Sequence, residues 1–184
     1  MSVAEEVCAY LDGLSIAYET AEHAPANTMA DCAAIDRRLH ALTVKNIFLT
    51  TKNQKRFYLC LTRPNARFHT ADISRQARSS RLSFAPEDRL LEILHARPGS
   101  ASPMGLIFES ARGVELLVDA ALRAEPRLAF HPCDNTKTLA MAGEDFFARF
   151  LPPLGISPTF VEIHDFIEAE RGDPGAFPPP SIKA

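Results

Sequence analysis

The stretch Thr43-Val44-Lys45-Asn46-Ile47-Phe48-Leu49-Thr50-Thr51 is followed by Lys52-Asn53-Gln54-Lys55 and then by Arg56-Phe57-Tyr58-Leu59-Cys60-Leu61-Thr62. Two apolar runs rich in β-branched and aromatic residues flank a four-residue polar turn, which predicts a hairpin of buried strands. Lys45 is out of place near the start of the first run, because an ammonium buried without a partner is costly. Two readings remain open. Its stem can lie along the strand end while the charge reaches water, or the ammonium is aimed at a phosphate or carboxylate in a cleft.

Outward from the hairpin, strands and helices mix without regular alternation, which favours an α+β fold over a doubly wound one. Ser2-Val3-Ala4-Glu5 is a capping-box pattern opening a helix that closes near Gly13. A short strand is expected over Ile16 to Thr20, and a loop at His23-Ala24-Pro25-Ala26-Asn27. A helix capped at Thr28 should then run to about His40. Beyond the hairpin, the pattern gives a brief strand over Arg67 to Ala71, a helical turn over Asp72 to Ala77 and a strand over Ser80 to Ala85. A helix follows from Pro86, with Glu87 and Asp88 in its first turn, where they favour the dipole. Further strands are expected over Met104 to Phe108, Val114 to Val118, Arg127 to Phe130, Thr138 to Met141 and Thr159 to Ile163. A helix carries Phe146, Phe147, Phe150 and Leu151. From Glu168 onward, glycines and prolines break both helix and sheet, so residues 168–184 are read as a tail outside a single domain of residues 1–167.

Length and composition set limits. A chain of 184 residues with 46% hydrophobic content can build one real core. No apolar run approaches the ~20 residues that span a bilayer, and the acidic start has no signal-peptide core, so a soluble cytoplasmic protein without membrane partners is expected. Cys8, Cys32, Cys60 and Cys133 are scattered, with no Cys-x-x-Cys pair; neither a zinc site nor a disulfide framework is expected. No phosphate-binding glycine loop, dinucleotide fingerprint, His-Glu-x-x-His or Gly-x-Ser-x-Gly occurs. No metal or cofactor is anticipated. The net charge of −3 conceals an asymmetry: eleven Lys or Arg and one acid, Asp72, lie between Arg37 and Arg81. Such a block suits a polyanion touching one face, or it is a solvated surface balanced in space by the acidic remainder.

Two further segments carry chemistry. Arg97-Pro98-Gly99-Ser100-Ala101-Ser102-Pro103 is a stiff turn whose small residues leave backbone N–H groups uncovered, able to grip a carbonyl oxygen or an oxyanion. Phe130-His131-Pro132-Cys133-Asp134-Asn135-Thr136 ends a strand on a histidine that a proline turns away. His131 could be a general base, a pocket wall or a satisfied buried histidine. Ser100 and Ser102 lack an adjacent base that would make them nucleophiles.

Taken together, the lysine strand, the Gly99–Pro103 loop and the His131 segment resemble the YbaK/prolyl-tRNA-synthetase-associated domain family, and most of all its free-standing editing proteins. The likeness runs in order from about residue 2 to 163. It implies a single α+β domain with a mixed, barrel-like sheet flanked by helices. It further implies hydrolysis of the ester joining a wrong amino acid to a tRNA 3′ end, here alanyl-tRNA(Pro), with a ribose hydroxyl of the substrate assisting the water. Implied partners are the tRNA(Pro) acceptor end and, transiently, prolyl-tRNA synthetase. The resemblance gives Lys45 the terminal nucleotide to hold, and Gly99, Ser100, Ala101 and Pro103 the aminoacyl group to position. Thr28, Ile35, Leu42, Asn46, Ser102, His131 and Asn135 are the expected substrate-binding residues; Ile35, Leu42 and His131 would form walls that admit alanine and exclude proline, a difference binding alone discriminates by only ~1–3 kcal/mol. Competing readings are cysteinyl-tRNA(Pro) deacylation, a non-catalytic nucleic-acid-binding or regulatory role, and a small-ester hydrolase with an incidental basic face.

Overall fold

The computed structural model describes residues 1–25 and 29–164. Thr28 and the tail beyond residue 164 lie outside them. In chain order the described elements are α1 (Val3–Gly13), β1 (Tyr18–Glu22), α2 (Met29–Leu39), β2 (Leu42–Thr43), β3 (Lys45–Thr51), β4 (Phe57–Thr62), α3 (Thr70–Gln76), β5 (Leu82–Phe84), α4 (Glu87–Leu94), β6 (Glu115–Asp119), β7 (Arg127–Phe130), β8 (Lys137–Ala142), α5 (Gly143–Asp145) and β9 (Thr159–Val161), with short 3₁₀ turns between and a π-helical turn over Phe146–Phe150 that continues α5. The α+β expectation holds. The strands do not close into a barrel, however. They form two open sheets, ordered β1-β8-β7-β2 and β5-β3-β4-β6-β9.

Local expectations hold where the signal was strong. The Ser2 capping box forms in full, with the Ser2 hydroxyl accepting from the Glu5 amide and the Glu5 carboxylate accepting from the Ser2 amide. The hairpin is antiparallel and in register from Lys45↔Thr62 to Thr50↔Phe57. Two expectations fail. Residues 67–69 form no strand and lead into α3, which begins at Thr70. Pro103–Ile107 is a 3₁₀ turn rather than a strand. Pro103 has no amide to give a ladder, and the Ser102 hydroxyl caps the turn by accepting from the Met104 amide at 3.2 Å. Gly105 then seats this turn against the end of α4, where a Cβ would lie 2.4 Å from the Leu94 carbonyl oxygen.

Side-chain alternation on the strands sorts the interior. Val44, Phe48, Leu59, Leu61, Leu116 and Val118 face the main cluster, shared with Leu128, Phe130, Leu139 and Met141 of the other sheet and with α1 and α4. The opposite face of the larger sheet carries Ile47, Leu49, Tyr58, Cys60 and Leu117 beneath α3. A third, small cluster lies on the outer face of the other sheet: Ala21, Ala129 and Ala140 against Ile35 and Leu39 of α2.

The end of the hairpin nearest Lys45 is fastened by charge. Asp119 is 1% exposed and accepts from Arg63 Nε at 2.8 Å, while its other oxygen accepts from the Ala121 amide. Arg63 also donates to the Ile163 carbonyl, tying β4, β6 and β9 together. Removing one member of a buried pair strands the other. Asp119→Ala should therefore lower stability by about 3 kcal/mol, read as a fall in melting temperature of roughly 10 °C. Asp119→Asn, which keeps the hydrogen-bonding shape, should lose clearly less.

Candidate functional site

Lys45 stands where the chain changes sheets. β2 pairs with β7 in parallel, Leu42↔Leu128 and Thr43↔Ala129, and the Val44 amide donates to the Ala129 carbonyl at 3.0 Å. The strand then leaves this sheet, and Lys45 opens β3 opposite Thr62. Val44 faces the main core, so alternation sends Thr43 and Lys45 to the other side. Asp36 of α2 holds Thr43 there, accepting from its amide at 3.1 Å and from its hydroxyl.

The polar groups at this point are poorly satisfied. Lys45 is 7% exposed and has no hydrogen bond or ion pair among the described residues. Burial pushes its ammonium pKa below the usual lysine range. Thr62 Oγ1, across the ladder, is buried and unpaired, and so is Asn46 Oδ1, although Asn46 Nδ2 donates to the Val44 carbonyl at 3.0 Å. Two buried side-chain oxygens on adjacent rungs of this ladder thus lack partners, which is rare in folded proteins.

His131 is buried, and Nδ1 donates to the Lys137 carbonyl at 2.8 Å. A carbonyl can only accept, so Nδ1 carries the proton and Nε2 carries the lone pair. Burial holds the imidazole pKa below the ordinary histidine value, and the ring is neutral at pH 7. Its segment is folded back by Asp134, which accepts from the Thr136 amide and hydroxyl at 2.9 and 2.7 Å. Cys133 takes a positive φ of 59° and directs Sγ to the Leu94 carbonyl.

The Gly99 turn meets this segment. Gly99 has φ +85°, a conformation that side chains resist, and a Cβ there would sit 3.7 Å from Asn135 Nδ2. The Ser100 hydroxyl accepts from the Arg97 amide and donates to the Arg97 carbonyl. It is a brace of the turn, as the Ser102 hydroxyl is a cap, and neither is placed as a nucleophile. The Ser100 amide is also consumed, donating to the Arg97 carbonyl at 2.9 Å. The expected three-amide grip thus narrows to Gly99 and Ala101, whose amides make no hydrogen bond among the described residues.

The structure therefore places Lys45 just past the β2–β7 pairing and His131 just past the end of β7, joins His131 to Asn135 by one short loop, and sets Asn135 beside Gly99. Ile35 belongs to the α2 cluster beside Ala129, two residues before His131. Leu42 instead packs on the main core, on the other face of β2. Pro103 is buried at the head of its 3₁₀ turn, and Thr28 is outside the described residues. Sequence reasoning missed Thr62, Thr138 and His23. Thr62 could have been found as the cross-strand partner of Lys45 once the hairpin register was fixed. A cavity of about 480 Å³ bounded by Phe108, Arg112, Leu154 and Thr159 shares none of these residues.

A family model for the aminoacyl-tRNA editing domain matches residues 23–148, which contain every described residue of this cluster. The chain belongs to that family. Among relatives of this editing domain, the prolyl-tRNA editing protein ProX of Acetoanaerobium sticklandii is 32% identical over 145 residues, covering 79% of this chain and 88% of its own length. The prolyl-tRNA synthetase associated domain-containing protein 1 of Xenopus laevis is 30% identical over 162 residues, covering 85% and 95%. A crystal structure described as that of a candidate trans-editing enzyme for prolyl-tRNA synthetase superposes with a TM-score of 0.68 over 90% of this chain and 99% of its own, at 14% identity, and so shares the fold.

An unpartnered buried ammonium opposes folding of the free editing domain. Lys45→Met keeps the stem and removes the charge. It should raise the urea midpoint at pH 7 by an amount worth about 1 kcal/mol. The sign follows from the lowered pKa: the penalty is present below the folded pKa and fades as pH climbs towards the unfolded lysine value. The gain from the substitution should therefore shrink in alkaline melts.

Proposed function

We propose that this editing domain is a hydrolase that acts in trans on mischarged alanyl-tRNA(Pro). The observation that carries the reading is Lys45, buried and without a hydrogen bond or ion pair among the described residues, directly across the ladder from the unpaired Thr62 Oγ1. A site that lacks its partner in the free protein and offers a cation is suited to the phosphate of a terminal nucleotide.

An aminoacyl ester is already reactive. It needs a held carbonyl, a placed water and relief of the charge that builds on oxygen. The Gly99 and Ala101 amides supply donors to the carbonyl oxygen. Water adds to the carbonyl carbon while a ribose hydroxyl of the substrate relays its proton. The ester C–O bond then breaks, and the leaving ribose oxygen takes the proton, giving free amino acid and an uncharged 3′ end. Neutral His131 offers Nε2 as an acceptor to the aminoacyl group or the water. Ile35 and His131 bound the pocket on the α2 side and set its size. The work is done wherever charged tRNA is handed on, in the cytoplasm, with at most brief contact with prolyl-tRNA synthetase. Among the described residues no helix is long and apolar enough to cross a membrane.

The test is a deacylation assay with alanyl-, cysteinyl- and prolyl-tRNA(Pro) side by side. Alanyl-tRNA(Pro) should be cleared fastest and prolyl-tRNA(Pro) spared. A preference for the cysteinyl ester would reassign the substrate within the same chemistry. Lys45→Ala should reduce the rate by about 100-fold or more while the circular dichroism spectrum is kept; wild-type turnover in that variant would refute the reading.

A further inference from the structure

We infer that His23 is a positioning residue for the editing site, acting through Thr138 to fix the ring of His131 as the Nδ1–H tautomer. The inference rests on the reading of His131 as a group that faces substrate. Three strands place the residues in a row. β1 pairs with β8 and β8 with β7, with Ala21↔Thr138 and Phe130↔Leu139 in register, so that one step further His131 lies across from Thr138. His23, two residues beyond Ala21, shares their face and follows the last residue of β1.

The hydrogen bonds have one self-consistent direction. Nδ1 of His131 donates to the Lys137 carbonyl and lies 3.3 Å from Thr138 Oγ1. Since that nitrogen carries the proton, the threonine oxygen accepts, and its own hydrogen goes elsewhere. It goes to His23 Nε2, 2.9 Å away. His23 Nε2 can accept because the proton of that ring is on Nδ1, which donates to the Ala24 carbonyl at 2.8 Å. A carbonyl at each end, Lys137 and Ala24, thus sets the polarity of a chain of two rings and one hydroxyl. The ring centroids are 5.9 Å apart, and Thr138 is 1% exposed. The result is a lone pair on His131 Nε2, the one ring nitrogen of the four atoms in play that has no partner among the described residues.

A merely structural histidine would contribute packing alone. A positioning histidine must be an acceptor at Nε2, and this separates the two. Glutamine places an oxygen near the position of Nε2, whereas alanine places nothing. The full chain is compared as wild type, His23→Ala, His23→Gln, Thr138→Val and Thr138→Ser. Nitrogen NMR shifts of the His131 ring report the tautomer without any substrate, and single-turnover deacylation of alanyl-tRNA(Pro) reports the rate. The expected result is a dominant Nδ1–H form in wild type; in His23→Ala the Thr138 hydroxyl, freed to donate towards Nδ1, competes with the Lys137 carbonyl and gives a mixture with a loss in rate of about tenfold, and Thr138→Val, which leaves the Lys137 bond in place, should shift the tautomer less. His23→Gln and Thr138→Ser should recover most of both. An unchanged His131 tautomer and rate in His23→Ala would overturn the inference, and so would a loss that His23→Gln does not repair while the melting temperature is kept. Absence of deacylation by the wild type would instead refute the proposed function, and the tautomer measurement would still decide the role of His23.

Discussion

The constraint on which the site depends is that one strand serves two sheets. Residues 42–51 are nearly continuous in extended backbone, yet Leu42 and Thr43 are bonded to β7 in the smaller sheet and Lys45 to Thr51 to β4 in the larger. The hand-over occurs at Val44, whose amide makes the last bond to Ala129. A strand that leaves its neighbour gives up that neighbour's hydrogen bonds from the departure onward. Lys45 is the first residue past the departure, and His131 follows the end of the abandoned neighbour β7. The same geometry leaves ladder-end groups such as Asn46 Oδ1 and Thr62 Oγ1 without partners.

The elements around Lys45 are held in place by bonded groups. The Arg63–Asp119 pair fastens the β4 end, and the Gly105 turn, seated against the Leu94 carbonyl, carries the Gly99 bend. The Ser100 and Ser102 hydroxyls are committed to that bend and turn. Polar atoms near the site thus divide into those that build it and are fully bonded, and those that are left wanting. The second group is where a substrate gains most on binding, since it satisfies atoms that folding could not. Rigidity in the first group and deficit in the second are complementary, because a loose frame would let Lys45 find water or a carboxylate instead.

How much of this could be read in the sequence follows from the range of each interaction. The capping box at Ser2, the hairpin over residues 43–62 and the helix after Pro86 are set by neighbours within a few residues, and they were legible. Lys45 was legible as an anomaly because its cost is local. The Met104 to Phe108 run was misread because an apolar string does not distinguish a strand from a buried 3₁₀ turn, although the preceding Ser102-Pro103 was the available signal. The barrel-like closure expected from the resemblance became two open sheets, which only long-range pairing determines. Leu42, expected as a pocket wall, packs against the main core, on the opposite face of β2 from Thr43, a placement set by the period of two along the strand. Thr138 and His23 could not be found from sequence at all. Their partnership with His131 crosses 7 and 108 positions and exists only through strand register.

The basic block shows how a one-dimensional signal is dispersed by folding, and the dispersal bears on how such a site can work. Lys52 and Lys55 sit in the hairpin turn, six strand residues from Lys45, or about 20 Å along the sheet. That exceeds the ~8 Å screening length at physiological salt. Arg56 is paired with Glu115, Arg75 with Asp72 and Arg63 with Asp119. Arg37 and Arg38, in the last turn of α2, remain close to the strand that delivers Lys45. The charge able to hold a nucleic acid at the cleft is therefore a fraction of the eleven cations in the window, on a chain that is acidic overall. Electrostatics of this size draws a polyanion to one spot without gripping its length. An enzyme that inspects many charged tRNAs and must release the correct ones gains from that weakness. Discrimination by such an enzyme then rests on contacts at the ester and not on residence along the stem.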